Sequence, residues 1–260
     1  MSNVQSRLDS VKRDGYDFQI GDFISKGFSI FGKNAAMFIG FLMVSVVISI
    51  VLRFIPLLGQ LVSFVISGAM GAGYFIVAHK TYRNEQAEFS NFFDGFKDWV
   101  QLFLNTLIVT FIVLIGFLPA IIFFVKSYGF DSSAIDLQDP EAISDLIKGF
   151  GVLYIFLYAL AIMLFSVFVI YAALFIVFDK MTAWDAIVAS VKTVSQSIFS
   201  HIIFLIVWII ILIVSALPLL LGLLATVPAF YCSIYYAWQD ITRYNDDNEV
   251  EDDLLNHLIE

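Results

Sequence analysis

Residues 193–239, TVSQSIFSHIIFLIVWIIILIVSALPLLLGLLATVPAFYCSIYYAWQ, contain no lysine, arginine, aspartate or glutamate from end to end. As one helix this run would extend roughly 70 Å at 1.5 Å per residue, against a bilayer hydrocarbon core of roughly 30 Å. Pro218 sits inside it, and an interior proline removes a helical hydrogen bond and breaks or kinks the chain. The stretch therefore reads as two membrane passes joined at Pro218. Working outward, four more uncharged runs occupy 34–52, 54–79, 99–125 and 149–178. Each can hold one pass, since a span needs about 20 apolar residues. The expected fold is all-α: a polytopic integral membrane protein with six transmembrane helices, at about 35–54, 57–79, 100–124, 150–178, 199–217 and 219–239.

Composition points the same way. The 260 residues are 60% hydrophobic and 14% charged, whereas an ordinary soluble domain is about 45–50% apolar and about 25% charged. The first 33 residues are polar and contain no apolar core followed by a small-residue cleavage site, so the first helix should act as its own uncleaved insertion signal. Residues 1–21 read as a cytoplasmic segment, 22–242 as the membrane domain and 243–260 as an acidic cytoplasmic tail. The single cysteine, Cys232, lies in an apolar run and excludes a disulfide framework within one chain. Orientation follows from lysine and arginine near helix ends. A cytoplasmic N-terminus puts Arg7, Lys12, Arg13, Lys26, Lys33, Lys80, Arg83, Lys97, Lys180, Lys192 and Arg243 inside, leaving only Arg53, Lys126 and Lys148 outside. Both termini are then cytoplasmic.

The chain also reads as one unit used three times: an amphipathic segment, then a helical hairpin turning at a proline. The units open at "GDFISKGFSIFGKN", "FSNFFDGFKDW" and "TAWDAIVASVKTV", and turn at Pro56, Pro119 and Pro218. In the second, Phe92, Phe96, Trp99, Val100 and Phe103 share a face; in the third, Trp184, Ile187, Val191, Val194 and Ile198 do. Thr182-x-x-Asp185 has the spacing of a capping box. These faces could lie in the acyl boundary or pack onto the cytoplasmic ends of the other helices. An acidic insertion at 126–149 reads as an extracytoplasmic loop, either a solvated connection or a docking element. The tail "DDNEVEDDLLNHLIE" carries acidic residues and no basic ones; it reads as disordered, with Leu254, Leu255, Leu258 and Ile259 able to form one docking turn. An anionic inner leaflet would repel it.

Residues suited to catalysis or ion coupling are scarce. No ionisable residue lies near the middle of an expected span, where a proton relay or ion path would need one. His79 and His201 sit at helix ends, His257 in the tail, and no spaced ligand set accompanies them. There is no nucleophile elbow or cysteine–histidine pairing. A chain with pI near 4.7 and no basic patch is a poor nucleic-acid partner. No catalytic, cofactor or metal residues are expected, and the chain does not read as an enzyme.

The glycine-rich stretch "SGAMGAG", residues 67–73, resembles a phosphate loop only superficially. It lies inside a continuous span, where backbone N–H groups are already paired. Gly59, Ser63, Ser67 and Gly71 recur every four residues, with Gly68 and Ala72 beside them. That pattern suits a helix-packing seam, in which small residues let backbones approach, and it marks the second helix as the expected centre of the bundle.

The stretches "GDFISKGFSIFGKN", "IPLLGQL", "FFDGFKDW" and "FIVFDKMTAWDAIVASVKTV" resemble a broad group of bacterial six-helix membrane proteins, most of unknown function. That group is related to the membrane domain of certain glycerophosphodiester phosphodiesterases. The resemblance covers about residues 20–242 and centres on Asp179, Lys180, Ala186 and Ser190. It implies a bacterial cytoplasmic (inner) membrane location. The chain ends soon after its sixth helix, so the phosphodiesterase activity is not expected. Some proteins of this appearance are labelled carotene-cleaving oxygenases, but that chemistry uses an iron held by four histidines, and this chain has three. The expected function is a non-enzymatic membrane component that binds lipids or a partner, such as another membrane protein or a second copy. The alternative is a carrier or channel for a neutral or amphipathic substrate, with a membrane-embedded lipid enzyme third.

Overall fold

The computed structural model describes residues 2–128, 144 and 152–244, and every described element is helical. In chain order these are α1 (Ser2–Asp14), α2 (Ile20–Lys33), α3 (Ala35–Arg53) and α4 (Leu58–Tyr82). A 3₁₀ segment (Phe89–Asp98) leads into α5 (Trp99–Tyr128), followed by α6 (Val152–Phe168), α7 (Ala172–Asp179), α8 (Ala183–Val194), α9 (Ile198–Ala216) and α10 (Leu223–Thr242). Nearly all of the acidic insertion, and the tail beyond Tyr244, lie outside the described residues.

Among the described residues, five segments are long and apolar enough to cross a membrane: Ala35–Arg53, Leu58–Tyr82, Phe89–Pro119, Phe156–Asp179 and Ile198–Ala216. The protein covers little of some of them: 6% of the apolar window in Phe89–Pro119 is buried, and 11% in Ala35–Arg53. Uncovered apolar surface on that scale requires a hydrocarbon solvent. The chain is a multi-pass membrane protein.

The described residues form two compact units. One runs to Thr106 and resumes at Val167; the other is Leu107–Ser166. In the larger unit α10 is a central element, with Ala229, Cys232, Tyr235, Ala237 and Trp238 fully buried. α4, the expected centre, packs against α10 and also against α2, α3, α7 and the 3₁₀ segment, so the two share the middle of this unit. The fuller burial of α10 has a chemical reason: it carries Tyr, Ser, Thr and Gln that protein neighbours shield better than lipid does. For the same reason α10 is not among the five apolar spans, although the sequence led us to expect six. It begins at Leu223 rather than 219, because residues after Ala216 form a turn in which Leu219 and Leu220 take positive φ.

The amphipathic segments pack inward. Phe23, Gly27, Ile30 and Phe31 of α2 are buried, and α2 runs so close to α10 that a Cβ on Gly27 would sit 1.8 Å from Ser233 Oγ. The 3₁₀ segment interlocks with α4. A Cβ on Gly73 would lie 2.0 Å from the Phe92 carbonyl oxygen, and one on Gly95 would lie 2.3 Å from that of Ala69. Phe92 and Phe41 stack with centroids 4.3 Å apart. On α8, Ile187 and Val194 are buried but Trp184 is 60% exposed. The Thr182 side chain accepts from the Asp185 N–H at 3.3 Å, capping α8.

The expected span at 150–178 is divided between α6 and α7 across residues 169–171. The Ser190 side chain explains the break. Its hydroxyl donates to the Phe168 carbonyl at 2.7 Å and accepts the Tyr171 N–H at 3.2 Å. A side chain inserted into the helical ladder is an established cause of kinks.

In the smaller unit, α5 and α6 meet through Tyr158. The Tyr158 hydroxyl donates to the Val113 carbonyl at 2.9 Å, and its ring lies 5.3 Å from that of Phe117. Pro119 does not form the expected turn; it lies inside α5, which continues to Tyr128. An interior proline costs one backbone hydrogen bond, whereas ending the helix there would strand several polar groups in hydrocarbon.

Candidate functional site

The hairpin α3–α4 carries two facing polar stripes. On α3, Ser45, Ser49 and Arg53 recur every four residues; on α4, Gln60, Ser63 and Ser67 follow at three- and four-residue steps. Such spacings hold side chains on one face of a helix. Between the stripes runs an open groove. Its wider part, about 500 Å³, is lined by Ser49, Leu52, Arg53, Gly59, Gln60, Ser63, Phe64 and Ser67. A narrower part of about 210 Å³ shares Ser49, Leu52, Ser63 and Ser67 and reaches Ser45, Ile66 and Met70.

Gly59 sets the geometry of the turn. A Cβ there would sit 1.8 Å from the Leu52 carbonyl oxygen, so only glycine lets the end of α3 and the start of α4 approach this closely. Pro56 lies in the same turn, and Leu57 takes φ 60°, a left-handed conformation unusual for a branched side chain. Within the groove, Ser49 and Ser67 donate to the backbone carbonyls of Ser45 and Phe64 at 2.8 and 2.9 Å. Their protons satisfy their own helices, and the hydroxyl oxygens remain as acceptors. Arg53 is exposed at the turn end, among the exposed apolar side chains of Phe54, Ile55 and Leu57. No carboxylate among the described residues pairs with it.

The small residues singled out from the sequence divide between surfaces. Gly59, Ser63 and Ser67 line the groove. Gly68 and Ala72 face the other way: a Cβ on Gly68 would lie 3.0 Å from the Leu102 carbonyl oxygen, and Ala72 is fully buried. Gly71 has room, since a Cβ there would come no closer than 3.9 Å to the Tyr231 ring. Gly73 and Gly95, which make the closest approaches to the 3₁₀ segment and α4, escape the four-residue pattern because they contact partners distant in sequence.

A second cavity of about 350 Å³ lies between α1 and α8, lined by Leu8, Asp9, Lys12, Val191, Lys192, Ser195 and Gln196. Sequence reasoning treats residues 1–21 as a polar cytoplasmic segment and misses its docking. Val11 is fully buried, and Arg7 forms a buried ion pair with Asp179 while lying 5.1 Å from the Tyr244 ring centroid. Tyr16 follows α1 and donates to the Thr193 carbonyl at 3.1 Å; burial raises its phenol pKa above the ordinary value. The run Asp179, Lys180, Ala186 and Ser190 thus has distinct local roles. Asp179 pairs with α1, and Lys180 ends α7 in a left-handed conformation while its ammonium meets Asp98 at 2.7 Å. Ala186 is fully buried, and Ser190 bridges the break between α6 and α7.

His79 Nδ1 lies 2.8 Å from the Tyr235 hydroxyl, and His201 Nδ1 lies 2.9 Å from the Ser197 carbonyl oxygen. Among the described residues, no three His, Cys, Asp or Glu side chains are gathered to hold a metal ion. Comparison of the chain with protein-family models, with curated proteins and with solved structures gave no match.

Proposed function

We propose that this protein is a non-enzymatic, lipid-binding component of the bacterial cytoplasmic membrane. In this reading it makes six passes with both termini in the cytoplasm, built from three amphipathic-plus-hairpin units, and is kin to the six-helix group that its sequence resembles. The observation that carries the function is the groove between α3 and α4. It opens on a hairpin that exposes Val47, Ile50, Leu58 and Leu61, yet is lined with hydroxyls, an amide and a cation. A hydrocarbon solvent does not satisfy such groups, so an amphipathic occupant is favoured. Further support comes from the larger unit's interior, where aromatic rings such as Phe38, Phe41, Phe92 and Trp208 are fully buried. A carrier or channel would instead need a hydrated path there.

The test is native mass spectrometry of protein purified in mild detergent, alongside flux measurements in proteoliposomes. Retained lipid without flux is the expected result. Specific flux of a neutral solute, with no lipid retained, would favour the carrier alternative, and a persistent protein adduct would favour partner binding.

A further inference from the structure

We infer that the α3–α4 groove binds one phosphate-bearing lipid molecule, with Arg53 holding the phosphate. This rests on the lipid-binding reading above and narrows it to a headgroup class. The Arg53 guanidinium ends α3, is exposed, and has no carboxylate partner among the described residues. A helix of the length of α3 spans roughly 28 Å, close to the roughly 30 Å hydrocarbon core. Arg53 therefore stands at the level where lipid phosphates lie. A guanidinium presents forked donors that match phosphate oxygens bidentately. The Gln60 amide lines the same space, and the start of α4 directs the positive end of a helix dipole toward it.

The rest of the groove suits the rest of the molecule. From Gln60 to Met70 the α4 wall runs roughly 15 Å, half the hydrocarbon core and so the depth of one leaflet. Arg53 and Gln60 stand at the turn end beside Leu52, while Phe64, Ile66 and Met70 line the groove further in. Serine hydroxyls accompany them along the whole depth, Ser49 and Ser63 nearer the turn and Ser45 and Ser67 below. The cation thus sits at one end of a groove whose larger apolar side chains lie deeper, which is the polarity of a phospholipid with its head at the turn. A two-fold pairing of grooves between copies would leave Arg53 without a carboxylate, since the groove's own described lining contains none.

The experiment compares wild type, Arg53→Gln, Arg53→Lys and Ser67→Leu in mild detergent. Each is offered phosphatidylglycerol, phosphatidylethanolamine or phosphate-free diacylglycerol, and binding is read by native mass spectrometry. Arg53 and Ser67 are exposed, so each variant should keep the wild-type gel-filtration profile. Expected are one bound phospholipid per chain, at least tenfold weaker diacylglycerol binding, and roughly tenfold loss in Arg53→Gln. Arg53→Lys should recover part of that loss, and Ser67→Leu should occlude the groove for every lipid. Equal binding of diacylglycerol, or an unchanged Arg53→Gln, would overturn the phosphate assignment while leaving a lipid groove intact. Absence of any lipid from wild type, or binding untouched by Ser67→Leu, would overturn the lipid-groove reading itself. A dimer that Ser67→Leu dissociates would assign the groove to a second copy and also overturn the inference.

Discussion

Replacing Ser190 with alanine should destabilise the larger unit by about 2–4 kcal/mol, because one hydroxyl serves two buried backbone groups. The Phe168 carbonyl accepts from it at 2.7 Å and the Tyr171 N–H donates to it at 3.2 Å, in a position with no solvent exposure. Leaving a buried polar group unsatisfied costs about 1–3 kcal/mol, and here there are two. Straightening the chain could restore the ladder, but it would displace α7, where Ala172, Leu174 and Phe175 are fully buried. The loss should therefore persist. The assay is denaturant unfolding in detergent, followed by tryptophan fluorescence, with hydrogen exchange at the Tyr171 amide as a local readout. Ser195→Ala is the control: its exposed hydroxyl bonds only within its own helix, so a change within about 0.5 kcal/mol is expected. If Ser190→Ala matched this control, with Tyr171 exchange unchanged, the account of the helix break would be wrong.

Other substitutions follow from contacts of the same kind. Gly73→Ala would place a Cβ 2.0 Å from a backbone carbonyl that cannot rotate away. It should lower the unfolding midpoint sharply, while Gly32→Ala, with open space around it, should not. Removing either Arg7 or Asp179 alone should cost about 3–5 kcal/mol, because the remaining buried charge loses its ion pair; a double-mutant cycle measures the coupling between the two. Thr182→Ala should cost about 1 kcal/mol through the lost cap of α8, visible as reduced helicity on heating. Tyr16 adds a pH dependence. Burial raises its folded pKa, so the folded state binds the more protons in alkali, and its stabilising contribution is present below about pH 10 and lost as pH rises beyond. Tyr16→Phe should flatten that alkaline fall by one proton's worth of slope.

Part of the candidate site was legible in the chain: Gly59, Ser63 and Ser67 stand out as one face of the second helix, read as a packing seam. The stripe of Ser45, Ser49 and Arg53 opposite them on the first helix, and the groove between, come from the fold. The turn at Pro56 makes those two helices neighbours. What spacing could not settle was which face of α4 meets protein, because small residues lie on both. Ser63 and Ser67 line the open groove, while Gly68, Ala72 and Gly73 face α5 and the 3₁₀ segment. The docking of α1 was similarly hidden. Leu8 and Val11 are too few to stand out in a polar segment, and Arg7 finds Asp179 only after the chain has returned to it.

Sequence alone determined that this is an all-helical, multi-pass membrane protein, because uncharged runs of spanning length have only one comfortable solvent. It also located the Pro56 and Pro218 turns and the cap at Thr182, which depend on neighbouring residues and backbone chemistry. Tertiary structure decided where regularity fails and what occupies the centre. Ser190 breaks a helix roughly twenty positions away in the chain, Pro119 continues one, and the polar-flecked α10 is buried more fully than more apolar helices. Hydropathy records how a residue regards lipid, but packing depends on which other residues reach it. Those partners, Phe92 at Gly73, Ser233 at Gly27 and Asp179 at Arg7, are distant in sequence and meet only in the folded chain.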